Sequence, residues 1–167
     1  PTCLVAASLT AISARDAPPS LNVITRNVPL FPMGVQPYDL TTELRRRGWE
    51  SLVFTGPPEA AARLIEAGFA PVALMKDGSG RHAVTVTGIR RPSDAEGCRT
   101  ALMALRILDP RSGNHAWISA QSFAHKQSAH QMLVFYRSKD LLALSSKGFP
   151  IASARLIDSR FRATALL

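Results

Sequence analysis

The hydrophobic positions near the start of the chain follow a helical spacing. Leu4, Val5, Leu9 and Ile12 form one apolar stripe, and the small Ala6, Ala7 and Ala14 permit close packing, so Thr2 to Arg15 reads as a helix. Thr2 stands where an N-cap belongs. The next stretch, Asp16 to Pro37, is interrupted by Pro18, Pro19, Pro29, Pro32 and Pro37 and is expected to hold little regular structure. Asp39 can cap a second helix running to Arg47, which Gly48 closes. Leu52 to Phe54 has the texture of a short strand. Gly56-Pro57-Pro58-Glu59 then opens a third helix, which passes Ile65 and stops at Gly68.

After Gly68 the period changes from helical to alternating. Strands are expected over Pro71 to Met75, His82 to Ile89, Ala101 to Leu108, Ala116 to Ser119 and Met132 to Tyr136. Asp77-Gly78-Ser79-Gly80 and Asp109-Pro110-Arg111-Ser112-Gly113 carry turn chemistry. Ser119 caps a short helix around Phe123, and Arg90 to Cys98 is a polar loop. Two more helices are expected at the end, over Lys139 to Ser145 and Ile151 to Leu166. Helices first and an antiparallel meander afterwards make the class α+β.

Composition narrows the function classes. With 167 residues, 46% of them apolar and 19% charged, the chain buries a core without disulfide staples. The net charge of +8 permits acidic partners. The longest cationic run, Arg45-Arg46-Arg47, falls in the last turn of a helix and reads as a solvated end, so nucleic acid is not expected as a partner. No apolar run approaches the roughly 20 residues of a membrane span. Two cysteines are too few for a disulfide framework. The chain shows no initiator Met and no signal peptide, and reads as part of a longer product, which leaves localisation open.

Three residues suggest chemistry when taken together. Cys3 sits in the first turn of a helix, where a thiolate is favoured and the backbone N–H is free for an oxyanion. Alone, it reads first as a small buried hydrophobe. His82 stands at the entry to an apolar strand and is expected to project from the sheet edge; its other reading is a surface or cap histidine. Asp109 ends the next strand, where a turn-starting aspartate is common. If those two strands are antiparallel neighbours, the start of one lies beside the end of the other. A helix across the sheet then completes a nucleophile, a base and a residue that orients the base.

Other candidates carry less. His115, His125 and His130 make no metal spacing with either cysteine, so no metal or cofactor is expected. Glu96 beside Cys98 disfavours a thiolate there. Gly78-Ser79-Gly80 lacks the flanks of a phosphate loop, and Trp49 and Trp117 read as core or groove-wall aromatics.

Several segments come in a recognisable order: Cys3 with its Ala-rich helix, the helix–Gly–strand run Leu40 to Phe54, and the block Leu64 to Val72. They are followed by Arg81-His82-Ala83-Val84-Thr85-Val86-Thr87-Gly88 and then by Ile107 to Gly113, with Ser119 to Phe123 behind. Over Pro1 to Tyr136 this resembles the double-glycine-leader peptidases, the bacterial family that processes bacteriocin leaders, and their stand-alone papain-like relatives. The resemblance implies a papain-like domain at residues 1–137 and leaves 138–167 as a helical C-terminal extension. It implies a bacterial cysteine peptidase with Cys3 as nucleophile, His82 as base and Asp109 as orienter, acting without a cofactor on a peptide or protein, with cleavage after small residues such as glycine.

Three features depart from that pattern. Leu4 follows the cysteine where the family has Gly, or Trp in related plant-pathogen effector proteases. The Arg90 to Thr100 connection is longer than the family's hairpin. The family's oxyanion glutamine lies a few residues before the cysteine, and only Pro1 and Thr2 precede Cys3, so the expectation is a Gln upstream of Pro1. Two other functions keep this frame: an effector or toxin that deamidates glutamine or transfers acyl groups, and an inert peptide-binding module.

Overall fold

The computed structural model describes residues 2–32, 34–78, 80–92 and 101–146. Cys98, the turn residue Ser79 and the helix expected over Ile151 to Leu166 lie outside the described residues. The chain begins with helices α1 (Cys3–Ser13), α2 (Leu21–Asn27) and α3 (Pro37–Arg45), then strand β1 (Glu50–Thr55) and helix α4 (Pro58–Glu66). Strands β2 (Val72–Asp77), β3 (Gly80–Arg90), β4 (Ala104–Leu108) and β5 (His115–Ser119) follow. Helix α5 (Ala120–Lys126) leads into β6 (Gln127–Tyr136), a 3-10 turn (Ser138–Asp140) and α6 (Leu141–Ser146). The class is α+β, with one antiparallel sheet in the order β1-β6-β2-β3-β4-β5.

Strand alternation explains how the core divides. Val72 and Leu74 of β2, with Ala83 of β3, pack against Leu4, Val5, Leu9 and Ile12 of α1. Their neighbours Ala73, Met75, Val84 and Val86 pack on the other face against Ala60, Ala61 and Ala62 of α4 and against Phe123 of α5. Both faces of the central strands are therefore covered, which is why β2 and β6 read as continuous apolar runs. Each buried Leu, Val or Ile of α1 contributes about 1.5–3 kcal/mol by leaving water. A third cluster joins Leu52, Leu64, Phe69 and Val134 to Leu144 of α6.

The structure corrects several local expectations. The proline-rich stretch does contain a helix, α2, in the proline-free window between Pro19 and Pro29. Thr2 makes no side-chain cap bond to α1, whereas Ser119 does cap α5 through the Ser122 N–H. The last strand does not extend the meander but crosses back to pair with β1 and β2. Arg46 and Arg47 are not merely solvated, since both grip the buried carboxylate of Glu43. Trp49 is core, but Trp117 is half exposed on the edge strand β5 beneath the Arg90 guanidinium. Gly48, at φ 78°, ends α3 in a left-handed turn where an added Cβ would meet the Arg137 guanidinium at 2.9 Å.

Candidate active site

Cys3 is the first residue of α1 and is half-buried. Its backbone N–H therefore has no intrahelical acceptor. The helix is tied to the sheet by a buried contact: Thr85 Oγ1 of β3 donates to the Ala7 carbonyl at 2.8 Å. That hydroxyl lies three residues along the strand from His82, so it fixes the cysteine helix over the strand that carries the imidazole.

His82 pairs in register with Met75 of β2 and is only 7% exposed. The sheet-edge position expected from the sequence is thus replaced by a buried one at the end of an interior strand. Pairing of β3 with β4 sets Thr85 opposite Leu108. The start of β3 and the end of β4 consequently lie at the same end of the sheet, and Asp109 emerges beside His82. Asp109 Oδ1 is 2.7 Å from His82 Nε2. The same oxygen accepts the Arg111 backbone N–H at 2.8 Å. The loop is closed behind it by the Gly113 N–H on the Asp109 carbonyl at 2.8 Å and by the Asp109 N–H on the Asn114 carbonyl at 3.1 Å.

Burial pushes the Asp109 carboxyl up, but it is outweighed by the Arg111 backbone N–H, the hydrogen bond and charge of His82, and the charge of Arg111. The carboxyl is held below its ordinary value, so it is an acceptor at neutral pH and His82 Nε2 carries the shared proton. The other ring nitrogen, Nδ1, is buried and has no hydrogen-bond partner among the described residues. An imidazole so held has one nitrogen committed and one available, the state a proton carrier needs.

His82 and Cys3 line one cleft of about 350 Å³. Its apolar wall is Leu4, Val35, Pro37, Leu74 and Ala83, and Gly34, Gln36, Gly80 and Arg81 complete it. Gly34 takes φ 101°, a conformation open to glycine, and its N–H closes a tight turn on the Phe31 carbonyl at 2.8 Å. The segment from Gly34 to Pro37 is the wall that sequence reading missed. Its only signal was a Gly and a Pro flanking two residues in an otherwise irregular stretch. Among the described residues no group of three or more His, Cys, Asp or Glu could hold a metal, and no helix is long and apolar enough to cross a membrane.

This fold recurs in solved structures. The chain is similar to the peptidase domain of Streptococcus ComA, a bi-functional ABC transporter involved in a quorum-sensing pathway. That match has a TM-score of 0.58 at 13% identity, covering 78% of this chain and 85% of that one. It is similar to a double-glycine-motif protease from an AMS/PCAT transporter, solved in complex with its leader peptide, at TM-score 0.56 and 17% identity over 80% and 83% of the two chains. A third match is the N-terminal peptidase C39-like domain of a toxin-secretion ATP-binding protein from Vibrio parahaemolyticus, with TM-score 0.58, 15% identity, and 80% and 96% covered. The chain has the fold of these peptidase domains. It matches no protein-family model, and no curated protein matches it either.

Proposed function

We propose that the chain is a cysteine peptidase of the double-glycine-leader type, with Cys3 as nucleophile, His82 as general base and acid, and Asp109 as the residue that orients His82. The observation that supports this best is the state of His82. Its Nε2 is engaged by a carboxylate, while its buried Nδ1 is unpartnered and the ring lines the cleft that Cys3 lines. The fold shared with peptidase domains, one of them solved with a peptide bound, supports a peptide as the substrate.

In this reading His82 Nδ1 takes the Cys3 thiol proton. The Cys3 sulfur attacks the scissile carbonyl carbon, and the backbone N–H of Cys3 donates to the developing oxyanion. The imidazolium returns its proton to the leaving amine, the C–N bond breaks, and a thioester remains. Water then adds to the thioester with its proton passing to Nδ1, and the acid product leaves as the thiol is restored. Asp109 stays ionised throughout and stabilises the imidazolium. Residues 1–137 carry this chemistry, and the extension 138–167 supplies none of its catalytic residues.

The test is proteolysis of peptides that contain small-residue pairs, followed by intact mass. The proposal expects two fragments whose masses sum to the peptide plus water, lost in Cys3→Ala and His82→Ala. Deamidated but uncleaved peptide would place the chain among deamidases instead. A peptide held by the protein and left unchanged would mark an inert binding module.

A further inference from the structure

Among the described residues the cleft is lined by no Asp or Glu, and its one fixed charge is Arg81. Almost every other arginine of the described residues has an engagement. Arg15 pairs with Asp140, Arg91 with Glu66, Arg111 with Asp77 and Arg137 with Asp16. Arg90 lies over Trp117. Arg81 is exposed and makes no hydrogen bond or ion pair among the described residues.

Its strand neighbour sharpens the point. Arg81 stands directly opposite Lys76 in the β2–β3 register, and Lys76 is likewise exposed without a hydrogen bond or ion pair. Like charges directly across an antiparallel pair destabilise it. The nearby Asp77 is taken by Arg111, and Asp109 by His82. Two cations therefore stand side by side at the cleft, and among the described residues no carboxylate pairs with either.

We infer that Arg81 is a specificity-determining residue that selects a carboxylate on the peptide substrate, either an Asp or Glu side chain next to the seated residue or the carboxyl terminus of a short peptide. Strand alternation puts Arg81 on the same face as Ala83, a wall of the cleft, one residue from His82. A guanidinium there binds a carboxylate through paired N–H donors. The apolar wall holds one side chain while Arg81 holds the charge beside it. This inference rests on the peptidase reading of the same cleft.

The probe is a pair of small thiol reagents, iodoacetate and iodoacetamide, which differ in charge but not in size. Their rates at Cys3 are followed by peptide-level mass spectrometry, and the anion-to-neutral ratio cancels the intrinsic reactivity of the thiol. The ratio at Cys3 should exceed that of free glutathione, fall about tenfold in Arg81→Gln, and fall further in Arg81→Glu, as expected for loss of one charge-assisted contact. Arg81→Lys should keep most of it. With peptides, wild-type protein should prefer Glu over its Gln counterpart, or a free over an amidated carboxyl terminus, and Arg81→Gln should erase whichever preference is seen. Cys3 alkylated at a ratio indifferent to residue 81 overturns this inference and leaves the peptidase reading intact. Cys3 resistant to both reagents overturns the peptidase reading, and this inference with it.

Discussion

His82 and Asp109 lie 27 residues apart in the chain, yet Nε2 and Oδ1 meet at 2.7 Å because antiparallel pairing returns the end of β4 to the start of β3. The imidazole is buried and the carboxylate is partly open to water, so the pair is anchored from the inside.

Replacing Asp109 should therefore affect rate through the orientation of His82. Asp109→Ala should lower kcat for peptide cleavage on the order of a hundredfold or more, with KM little changed. Asp109→Asn retains an oxygen that can accept from Nε2 and should lose less. Steady-state kinetics on one cleaved peptide decides this, and equal losses in the two variants would argue against an orienting role.

The same carboxylate links stability to acid. Its folded pKa lies below the ordinary value of 3.8, so between the two values the unfolded chain binds more protons and stability rises with pH. The contribution is complete above the ordinary value and is lost as pH falls through the folded one. Urea midpoints measured against pH should show wild type more stable than Asp109→Asn at neutral pH, with the gap closing below about pH 4. A gap that stays constant into acid would contradict the assigned pairing.

The tie between α1 and β3 should matter in proportion to one buried hydrogen bond. Thr85→Val keeps the side-chain shape and removes the hydroxyl that donates to the Ala7 carbonyl. Chemical denaturation should show a loss of about 1 kcal/mol. No loss at all would mean that apolar packing alone seats the cysteine helix.

Much of this layout was legible in the sequence, for particular reasons. The α1 stripe, the β2–β3 hairpin and the Asp109 turn all rest on local patterns, namely helical spacing, alternation around a Gly-rich turn, and Asp-Pro chemistry. Helix α2 was hidden because its seven residues lie between prolines; it is stabilised locally, with the Thr25 hydroxyl and the Asn27 amide bonding back to carbonyls one turn earlier. The return of β6 was not legible because neighbouring strands usually pair. Its apolar run, Met132 to Tyr136, needs cover on both faces and so takes an interior place between β1 and β2, while β5, with exposed His115 and Ser119, is suited to the edge. At the site, the His82–Asp109 pairing followed from strand order. The cleft wall from Gly34 to Pro37 is brought to Cys3 only by the packing of α2 and α3, and no spacing along the chain encodes it.

The described part of the C-terminal extension should prove more than an ornament. Leu144 is fully buried against the Leu52 and Leu64 cluster, and Asp140 bonds Arg15 at 2.7 Å. Leu144→Ala should cost about 2–4 kcal/mol by thermal unfolding. Truncation after Tyr136 should cost more and expose the cluster, read as aggregation or dye binding. A truncated protein as stable as the full chain would show that α6 is dispensable.

The central claim is that Cys3 and His82 act as a pair, and the most direct measurement is the alkylation rate of Cys3 by iodoacetamide near pH ~6, in wild type and in His82→Ala. The account predicts fast labelling of Cys3 in wild type, well ahead of Cys98, and a fall of at least about tenfold in the variant, with the labelling of Cys98 unchanged. Cys3 labelling that is slow in wild type, or equally fast without His82, would contradict it.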